Sequence, residues 1–375
     1  MYEVNRLALW QMGQELGFDA IGATTADPFP ELVPRLAAYA ARGRTGFEWE
    51  DIAERIDPKR WLPEARSLIA VALAYLTPAG RRLARRHPAK GLHGRLTVYA
   101  YGEDYHQVLA RRLHLLHRAL EAYLGRPVKA RIAVDTAPLV DRAVAERSGI
   151  GWIGKNCMFY TDKHGSYVFL GTLLTDVEVE PGSPQPDRCG TCDLCLRACP
   201  TGALLAPGVI DAKRCLSYIT QMKGIIPPEF RVALGRRVWG CDTCQWACPH
   251  NAAAAAAVHP EFLPQGELAY PDLIAILSWS NREFLRRYGR TAAAWRGLAT
   301  WKRNALIALG NCRDPRAVPH VVPFLSHPRP ELRASAAWAL WRIGDPAGTA
   351  AVRAAYVREE DPAVKAEMAW AVEEG

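Results

Sequence analysis

Eight of the ten cysteines lie between Cys189 and Cys248, most of them at short and regular spacings. The first block, CGTCDLCLRACP, contains Cys189, Cys192, Cys195 and Cys199, followed by Pro200. This C-x2-C-x2-C-x3-C-P run is typical of bacterial ferredoxins, whose thiolates hold 4Fe–4S clusters. Three closely spaced thiolates can bind three corners of one cubane cluster, while the fourth cysteine of the run binds a second cluster.

The second block, CDTCQWACP, contains Cys241, Cys244 and Cys248 but lacks the first cysteine of the run. One more thiolate must come from elsewhere, and Cys215 is the only unassigned cysteine of this window. We therefore predict two 4Fe–4S clusters. Their ligands are Cys189, Cys192, Cys195 and Cys248 for cluster 1, and Cys199, Cys215, Cys241 and Cys244 for cluster 2.

Paired zinc sites are the alternative, because C-x2-C pairs also bind zinc. The two C-x3-C-P endings and the ligand exchanged between the blocks favour clusters, and therefore a redox protein. Two cysteines lie outside the window. We interpret Cys157 as a small buried residue and Cys312 as a helix-end residue without a function.

The composition is that of a globular protein, with 375 residues, 49% hydrophobic and 23% charged. The N-terminus lacks the basic and apolar pattern of a signal peptide, and no apolar run is long enough to span a membrane. We therefore expect a cytoplasmic protein whose cysteines do not form a disulfide framework. The formal net charge of +8 is compatible with a polyanionic partner, although it also serves solubility.

The remaining sequence predicts three regions. Residues 1–176 alternate helical and strand patterns and indicate an α+β core; strand-like runs start at Ser67, Arg95, Val128 and Ser166, and a long helical pattern starts at Tyr105. A Pro- and Gly-rich linker leads into the two-cluster region, 177–260. Residues 261–375 form the tail.

The tail repeats itself. Similar apolar helical segments start at Lys302, Leu332 and Val364, and Asp-Pro pairs recur between them. This pattern predicts HEAT-like helical repeats, with Asp-Pro at helix starts and the tryptophans packed in the stack. Basic runs near residues 80–95, 111–118 and 301–303 are each explained by a solvated face, but together with the tail they favour a nucleic-acid backbone as partner.

The chain resembles the epoxyqueuosine reductase family. The resemblance runs through VDTAPLVDRAVAERSGIGWIGKN, GSYVFLGTLLTD, the two cysteine blocks, DAKRCLSYITQMKGIIPPEFR and the repeat tail. It implies an α+β fold with a nitroreductase-like cobalamin-binding catalytic domain (1–176), a ferredoxin-like domain with two clusters (177–260) and HEAT-like repeats that contact tRNA (261–375).

The resemblance also implies the reaction. Epoxyqueuosine at the wobble position of a tRNA is reduced to queuosine, with cobalamin and two 4Fe–4S clusters as cofactors and an external electron donor. It implies a monomer. The protein would supply position, protons and electrons, while the cofactor carries the difficult chemistry. Two alternatives are another corrinoid iron–sulfur reductase, such as a reductive dehalogenase, and a non-catalytic ferredoxin-type carrier with a repeat docking surface.

By the resemblance, Asp135 in VDTAP is the proton donor to the departing oxygen, which requires a carboxyl with a raised pKa. The alternative is that Asp135 caps a helix containing Pro138, in which case the carboxylate is ionised and a poor acid. Thr136 could provide the cap instead.

The resemblance further implies cobalamin contacts, at Arg55, Tyr101, Asp135, Asn156, Phe159, Ser217 and Asp242. Each of the other six side chains also has a structural interpretation, as a core, turn or loop-support residue. His106 is not expected to bind cobalt, because the D-x-H-x-x-G pattern lacks its glycine here. For RNA phosphate we predict contacts from Lys223 and Arg303.

Overall fold

The computed structural model describes residues 2–86, 91–264 and 269–373. The strands are β1 (Ala20–Thr25), β2 (Ser67–Ala74), β3 (Arg95–Leu96), β4 (Ala130–Ala133), β5 (Trp152–Ile153), β6 (Phe159–Tyr160), β7 (Val168–Thr175), β8 (Leu204–Ala206), β9 (Val209–Ile210) and β10 (Arg237–Trp239).

The helices up to the end of the cysteine window are α1 (Arg6–Glu15), α2 (Val33–Ala41), α3 (Ile52–Ile56), α4 (Pro78–Arg85), α5 (Tyr105–Leu124), α6 (Asp141–Arg147), α7 (Leu194–Ala198), α8 (Leu216–Ile219), α9 (Pro228–Leu234), α10 (Thr243–Trp246) and α11 (Pro249–Ala252). Those that follow are α12 (Leu273–Ser278), α13 (Asn281–Tyr288), α14 (Gly297–Cys312), α15 (Val318–Val321), α16 (Pro330–Ile343), α17 (Pro346–Tyr356) and α18 (Pro362–Glu373).

The chain packs as two compact units. The first unit comprises Met1–Pro78, Glu103–Lys213 and Thr243–Leu263, and the second comprises Ala79–Gly102, Arg214–Asp242 and Pro264–Gly375. The three regions drawn from the sequence divide the chain by function and stay a prediction. No helix among the residues that the structure describes is long and apolar enough to cross a bilayer.

The first unit is built on an antiparallel sheet with strand order β1-β2-β7-β4. All eight residues of β2 are buried, as expected for a short, continuously apolar strand in the middle of a sheet. The strands predicted near residues 67, 128 and 166 are therefore present. The run from Arg95 differs from its prediction: pairing ends after Leu96, and a 3-10 turn over Val98–Ala100 replaces the rest of the strand.

Helix α5 covers one face of this sheet, where it contacts β4 and β7. Its buried leucines follow helical spacing; they are Leu109, Leu113, Leu116 and Leu120. The Asp104 side chain caps the N-terminus by accepting from the His106 amide, and Gly125 ends the helix in the left-handed conformation, with φ of 63°. The capped first turn of α5 thereby fixes the positions of Tyr105 and His106.

In the second unit, α14, α16 and α18 pack successively against each other. The predicted Asp-Pro starts are confirmed. Asp345 caps α17 and Asp361 accepts from the first-turn amides of α18, with Pro at the first helical position each time. Trp338 is buried in the stack, where Arg231 lies over its ring, and the rings of Trp341 and Trp370 contact each other. Cys312 lies at the end of α14, as predicted.

Candidate functional site

The four cysteines predicted for cluster 1 line one pocket. The turn leading into α7 supplies Cys189 and Cys192, α7 itself supplies Cys195, and the residue before α11 is Cys248. Lys155, Asn156, Tyr160, Pro249 and His250 complete the lining. Across residues 2–86, 91–264 and 269–373, no three His, Cys, Asp or Glu side chains converge as one metal ion would require.

Protein hydrogen bonds reach two of these sulfurs. The Lys155 amide donates to Cys189 Sγ at 3.4 Å, and the Tyr160 hydroxyl is hydrogen-bonded to Cys248 Sγ. Four cysteine sulfurs around a pocket, with donors directed at them, fit a cubane cluster, because its thiolates carry negative charge and accept such bonds. The residues present therefore suit the group that the cysteine spacing predicts.

The cysteines predicted for cluster 2 are divided between the units. Cys199 and Cys244 belong to the first unit, and Cys215 and Cys241 belong to the second. In the first unit, Cys199 Sγ accepts from the Ala203 amide at 3.2 Å. This ligand set stays a prediction.

Asp135 lies in the loop between β4 and α6, in the left-handed backbone region with φ of 58°. Its side chain is 67% exposed and accepts a hydrogen bond of 2.6 Å from the Tyr105 hydroxyl. A non-glycine residue at positive φ is uncommon and is often found where a side chain must be presented for function. The loop therefore presents a carboxylate that is accessible to a substrate and held in one direction.

The helix-capping alternative for Asp135 is wrong. Helix α6 starts only at Asp141, its N-cap is Val140, and no side chain caps it. Thr136 is not the cap either, and its carbonyl accepts from Trp49 Nε1 at 3.1 Å. Pro138 thus lies before the helix and not inside it, and the Asp135 carboxylate is not used for helix capping.

Four residues around Asp135 were not predicted from the sequence as part of the site. The Tyr105 ring stacks between His106, at 4.0 Å, and Phe169, at 4.3 Å between ring centroids. His106 Nδ1 lies 2.7 Å from Asp104 Oδ1, and His106 Nε2 lies 3.9 Å from Asp135 Oδ2. The order Asp-Tyr-His before a long amphipathic helix is the sequence signal for Tyr105 and His106.

Two titrating groups accompany Asp135. Burial lowers the pKa of His106, but the Asp104 hydrogen bond and the charges of Asp104, Asp135 and Asp141 outweigh it, and the net pKa is raised. Burial, assisted by the Asp135 charge, raises the pKa of Asp141 to about 7. Asp141 Oδ1 is buried without a hydrogen-bond partner among the described residues. Protonated groups are therefore available beside Asp135 near neutral pH.

Two of the predicted cobalamin contacts in the first unit have buried side chains. Phe159 belongs to the hydrophobic core, and it is 3% exposed. Asn156 is equally buried; its amide donates to the Tyr160 hydroxyl at 2.8 Å, and its Oδ1 accepts from the Met158 amide at 3.2 Å. These contacts give both residues a structural role, and their assignment to cobalamin stays a prediction.

The second unit holds three more of the predicted contacts. Asp242 is buried, and its carboxylate accepts from the Thr97 hydroxyl and, at 3.0 Å, from the Val98 amide; its contact with cobalamin stays a prediction. Tyr101 is 2% exposed, and its hydroxyl is buried without a hydrogen-bond partner in the described ranges. Ser217 is partly buried, and its carbonyl accepts from Gln221 Nε2 at 2.9 Å.

Arg55, the remaining predicted contact, belongs to a cluster of like charges. Burial lowers its pKa; Glu48 and Tyr39 oppose that shift, while Arg142 and Arg44 add to it by repulsion. Cys157 is partly buried, and burial raises the pKa of its thiol. The positive charges of Arg142, Arg35 and Arg42 oppose this rise. We refer to Arg35, Arg42, Arg44, Arg55 and Arg142 as the arginine group. Such a group attracts anionic ligands.

The two residues predicted to contact RNA differ sharply in their exposure to solvent. Lys223 is exposed, as such a contact requires. Arg303 is 1% exposed, and its guanidinium donates to the carbonyls of Met222 at 2.6 Å and Gly224 at 2.9 Å. The prediction that Arg303 binds RNA is therefore wrong, because its donors are used inside the second unit.

Sequence profiles of three families match the chain. The profile described as Epoxyqueuosine reductase QueG matches residues 55–136, the 4Fe-4S double cluster binding domain matches 188–251, and HEAT repeats match 299–373. The second match covers all eight cysteines assigned to clusters, and the third covers the predicted repeats. The chain thus has an iron–sulfur module and a helical-repeat tail.

Similar proteins cover nearly the whole chain. The epoxyqueuosine reductase of Bacillus subtilis (strain 168) is 42% identical over 367 residues, covering 97% of this chain and 94% of the relative. A crystal structure of epoxyqueuosine reductase with a tRNA-Tyr epoxyqueuosine-modified tRNA stem loop matches with a TM-score of 0.92 and 41% identity, covering 98% of both chains. A Bacillus subtilis structure whose aspartate catalytic loop is swung out of the active site matches with a TM-score of 0.91 and 40% identity, again over 98% of both chains.

The mixed helix and strand fold is that of these solved structures, and the identity extends across both the cluster module and the loop that presents Asp135. The chain therefore belongs to the epoxyqueuosine reductase family.

Proposed function

We propose that this protein reduces epoxyqueuosine to queuosine at the wobble position of tRNA, the last step of queuosine synthesis. The observation that carries the proposal is the accessible Asp135 carboxylate, hydrogen-bonded to Tyr105 in the same compact unit as the cluster 1 pocket. Family membership supplies the substrate, since a relative was solved with an epoxyqueuosine-modified stem loop. A wobble base in an anticodon loop is accessible to an enzyme without melting a helix.

The reaction sets a proton requirement. An epoxide, two electrons and two protons give an alkene and water, so both protons end on the departing oxygen. We assign the first to Asp135, which the Tyr105 hydroxyl holds at 2.6 Å. His106 and Asp141, both with raised pKa, are the groups from which Asp135 can be reprotonated. The Bacillus subtilis relative also has an aspartate on its catalytic loop, which supports the role of Asp135.

The cofactors are cobalamin and two 4Fe–4S clusters, and cobalamin supplies the low-potential two-electron chemistry that the side chains of the protein cannot provide. We assign cluster 1 to Cys189, Cys192, Cys195 and Cys248, and cluster 2 to Cys199, Cys215, Cys241 and Cys244. An external donor supplies electrons to the clusters. We further propose that the protein acts as a monomer in the cytoplasm.

We propose a three-domain organisation: residues 1–176 form a nitroreductase-like cobalamin-binding domain, 177–260 the two-cluster domain and 261–375 the repeats that contact tRNA. We assign Asn156, Phe159, Ser217 and Asp242, with the loops that carry them, to the cobalamin site. Tyr101, with its unpartnered hydroxyl, and Arg55 are retained as side-chain contacts. The arginine group and Lys223 suit the phosphates of cobalamin and RNA.

The test is anaerobic turnover of epoxyqueuosine-containing tRNA by the reconstituted enzyme, with and without cobalamin. Asp135→Asn keeps the shape of the side chain but cannot act as an acid, and we expect it to lower kcat by at least about 100-fold. Tyr105→Phe removes only the group that orients Asp135, and we expect a loss of about tenfold. Asp27→Asn, at an exposed aspartate, is the matched control.

Both variants must retain the cluster and corrin spectra for these losses to be assigned to proton transfer. An Asp135→Asn enzyme with unchanged kcat would contradict the role of Asp135. Wild-type protein that leaves epoxyqueuosine unreduced with both cofactors bound and electrons supplied would contradict the proposed function.

A further inference from the structure

A largely buried hydrogen-bond network leads to a cysteine of cluster 1. Ser166 lies at its start: Ser166 Oγ accepts from Gln245 Nε2 at 3.0 Å and from Asn251 Nδ2 at 2.8 Å. The orientation of the Asn251 amide is fixed, because its Oδ1 accepts from the Ser166 backbone amide at 2.8 Å. A hydroxyl has two acceptor sites and one proton. The Ser166 proton is therefore available for its remaining partner, the Tyr160 hydroxyl.

The Tyr160 hydroxyl oxygen has a second donor. Asn156 Nδ2 donates to it at 2.8 Å, and the Met158 amide fixes that side-chain amide by donating to Asn156 Oδ1. With both acceptor sites of Tyr160 used by Asn156 and Ser166, its own proton points to its remaining partner, Cys248 Sγ. Asn156, Tyr160 and Ser166 are at most 3% exposed, whereas Cys248 is partly buried. The direction of the O–H···S bond thus follows from its neighbours.

Lys155 acts on the other side of the same pocket. Its backbone amide donates to Cys189 Sγ at 3.4 Å, and its ammonium donates to the carbonyls of Gly190 at 2.5 Å and Cys192 at 2.9 Å. One residue therefore contributes a sulfur hydrogen bond, a positive charge and an attachment for the ligand-bearing turn. Lys155 and Tyr160 both line the pocket between the four sulfurs.

We propose that Tyr160 and Lys155 are positioning residues that raise the reduction potential of cluster 1. The inference rests on the assignment of cluster 1 made above. Reduction adds negative charge to the cluster and its sulfurs, so a hydrogen bond or a positive charge at a sulfur stabilises the reduced state more than the oxidised state. The buried network keeps the Tyr160 donor in place in both states, so little reorganisation accompanies electron transfer.

The experiment is an anaerobic redox titration of the holoenzyme followed by electron paramagnetic resonance. The cluster 1 signal is identified as the one that Cys192→Ser alters. For Tyr160→Phe we expect a cluster 1 midpoint potential lowered by about 59 mV, which corresponds to about a tenfold less favourable reduction. Tyr75→Phe is the matched control, since it removes another buried hydroxyl, one that accepts from the same Gln245 Nε2 at 3.1 Å.

A second pair of measurements does not depend on how well Tyr160→Phe folds. Replacing Tyr160 by 3,5-difluorotyrosine keeps the ring and strengthens the donor, so the potential should rise. Lys155→Met should lower the potential, and Lys155→Arg should restore much of it. An unchanged midpoint in the fluorinated protein, or in Tyr160→Phe with intact clusters, overturns the inference. A Cys192→Ser protein in which both cluster signals stay unchanged contradicts the ligand assignment instead.

Discussion

Two aspartates six residues apart show how local surroundings give one residue type two kinds of behaviour. Asp135 is exposed at a positive-φ position and hydrogen-bonded to Tyr105, so it is accessible and oriented. Asp141 begins α6 with one carboxylate oxygen buried and unpartnered, and its pKa is raised to about 7. Burial penalises the ionised form of Asp141, and ionised Asp135 adds repulsion. Asp141 therefore holds a proton at a pH where an ordinary aspartate has lost it.

This difference predicts a pH-dependent stability. The folded-state pKa of Asp141 is raised from 3.8, so the folded protein holds this proton more tightly than the unfolded chain does. The contribution of this proton to the free energy of unfolding is complete below pH 3.8 and is lost as the pH rises to about 7. It amounts to at most about 4 kcal/mol. Asp141→Asn should therefore be more stable than wild type at pH 8 and should show a flatter dependence of Tm on pH between 5 and 8.

The measurement is thermal unfolding at several pH values, with Asp27→Asn as an exposed control. A wild-type slope that survives in Asp141→Asn would show that another group is responsible.

Helices and strands that are specified by neighbouring residues could be predicted from the sequence, whereas those that depend on tertiary packing could not. The β2 strand is a continuous apolar run, and the Asp-Pro helix starts are short-range capping signals, so both followed from neighbouring residues. The helix expected to contain Pro138 starts only at Asp141, and the strand from Arg95 ends after Leu96. We attribute both differences to tertiary packing. Tertiary context commonly overrides local propensity in this way.

The candidate site follows the same division. The cluster 1 cysteines were found because ligand spacing is a local signal, and the structure brings all four to one pocket. The pairing of Tyr105 with Asp135 joins residues 30 positions apart, and the network from Ser166 to Cys248 joins two chain segments, 156–166 and 245–251. Without an alignment, nothing in the sequence couples such positions. Buried Arg303 was misassigned for the same reason, since a basic run does not show which of its members face inward.

Helix α14 gives an element-scale prediction. The Arg303 guanidinium, whose pKa burial lowers to about 10, remains protonated near neutrality and donates to Met222 and Ile219 carbonyls at 2.6 and 3.1 Å. Arg303→Leu leaves these buried acceptors without a donor and should destabilise the protein by about 3–5 kcal/mol. Arg316→Leu, at an exposed arginine paired with Asp314, is the control and should leave the stability almost unchanged.

Thermal unfolding measures both variants, and tRNA affinity is compared at a temperature where each is folded. Because Arg303 is buried, we expect folded Arg303→Leu to bind tRNA with unchanged affinity. A loss of affinity without a loss of stability would instead restore Arg303 as an RNA contact.

At the scale of the whole molecule, the net charge of +8 matters through its distribution. Many exposed arginines are neutralised by partners; Arg6, for example, pairs with Glu180 at 2.8 Å and Arg66 with Glu178. In the arginine group, Glu48 offsets part of the charge of Arg55, but Arg142 and Arg44 also repel it. Positive charges that repel each other are stabilised by a bound polyanion. RNA phosphates are one such ligand, and their binding releases counterions.

Binding of tRNA should therefore weaken steeply with salt, and the arginine group should account for part of the slope. Arg42→Ala and Arg44→Ala should each lower affinity and reduce the slope of log K against log salt by up to about 0.7, the value for one phosphate contact to a single strand. Arg6→Ala removes an arginine that is already ion-paired, so it should leave the slope unchanged. Affinities are measured between 50 and 200 mM salt with cofactors bound, because cobalamin also has a phosphate. If Arg42→Ala and Arg44→Ala keep the wild-type slope, as Arg6→Ala should, the arginine group does not contact RNA. If these two variants lose cobalamin but still bind tRNA, the anion that the arginine group binds is the phosphate of cobalamin.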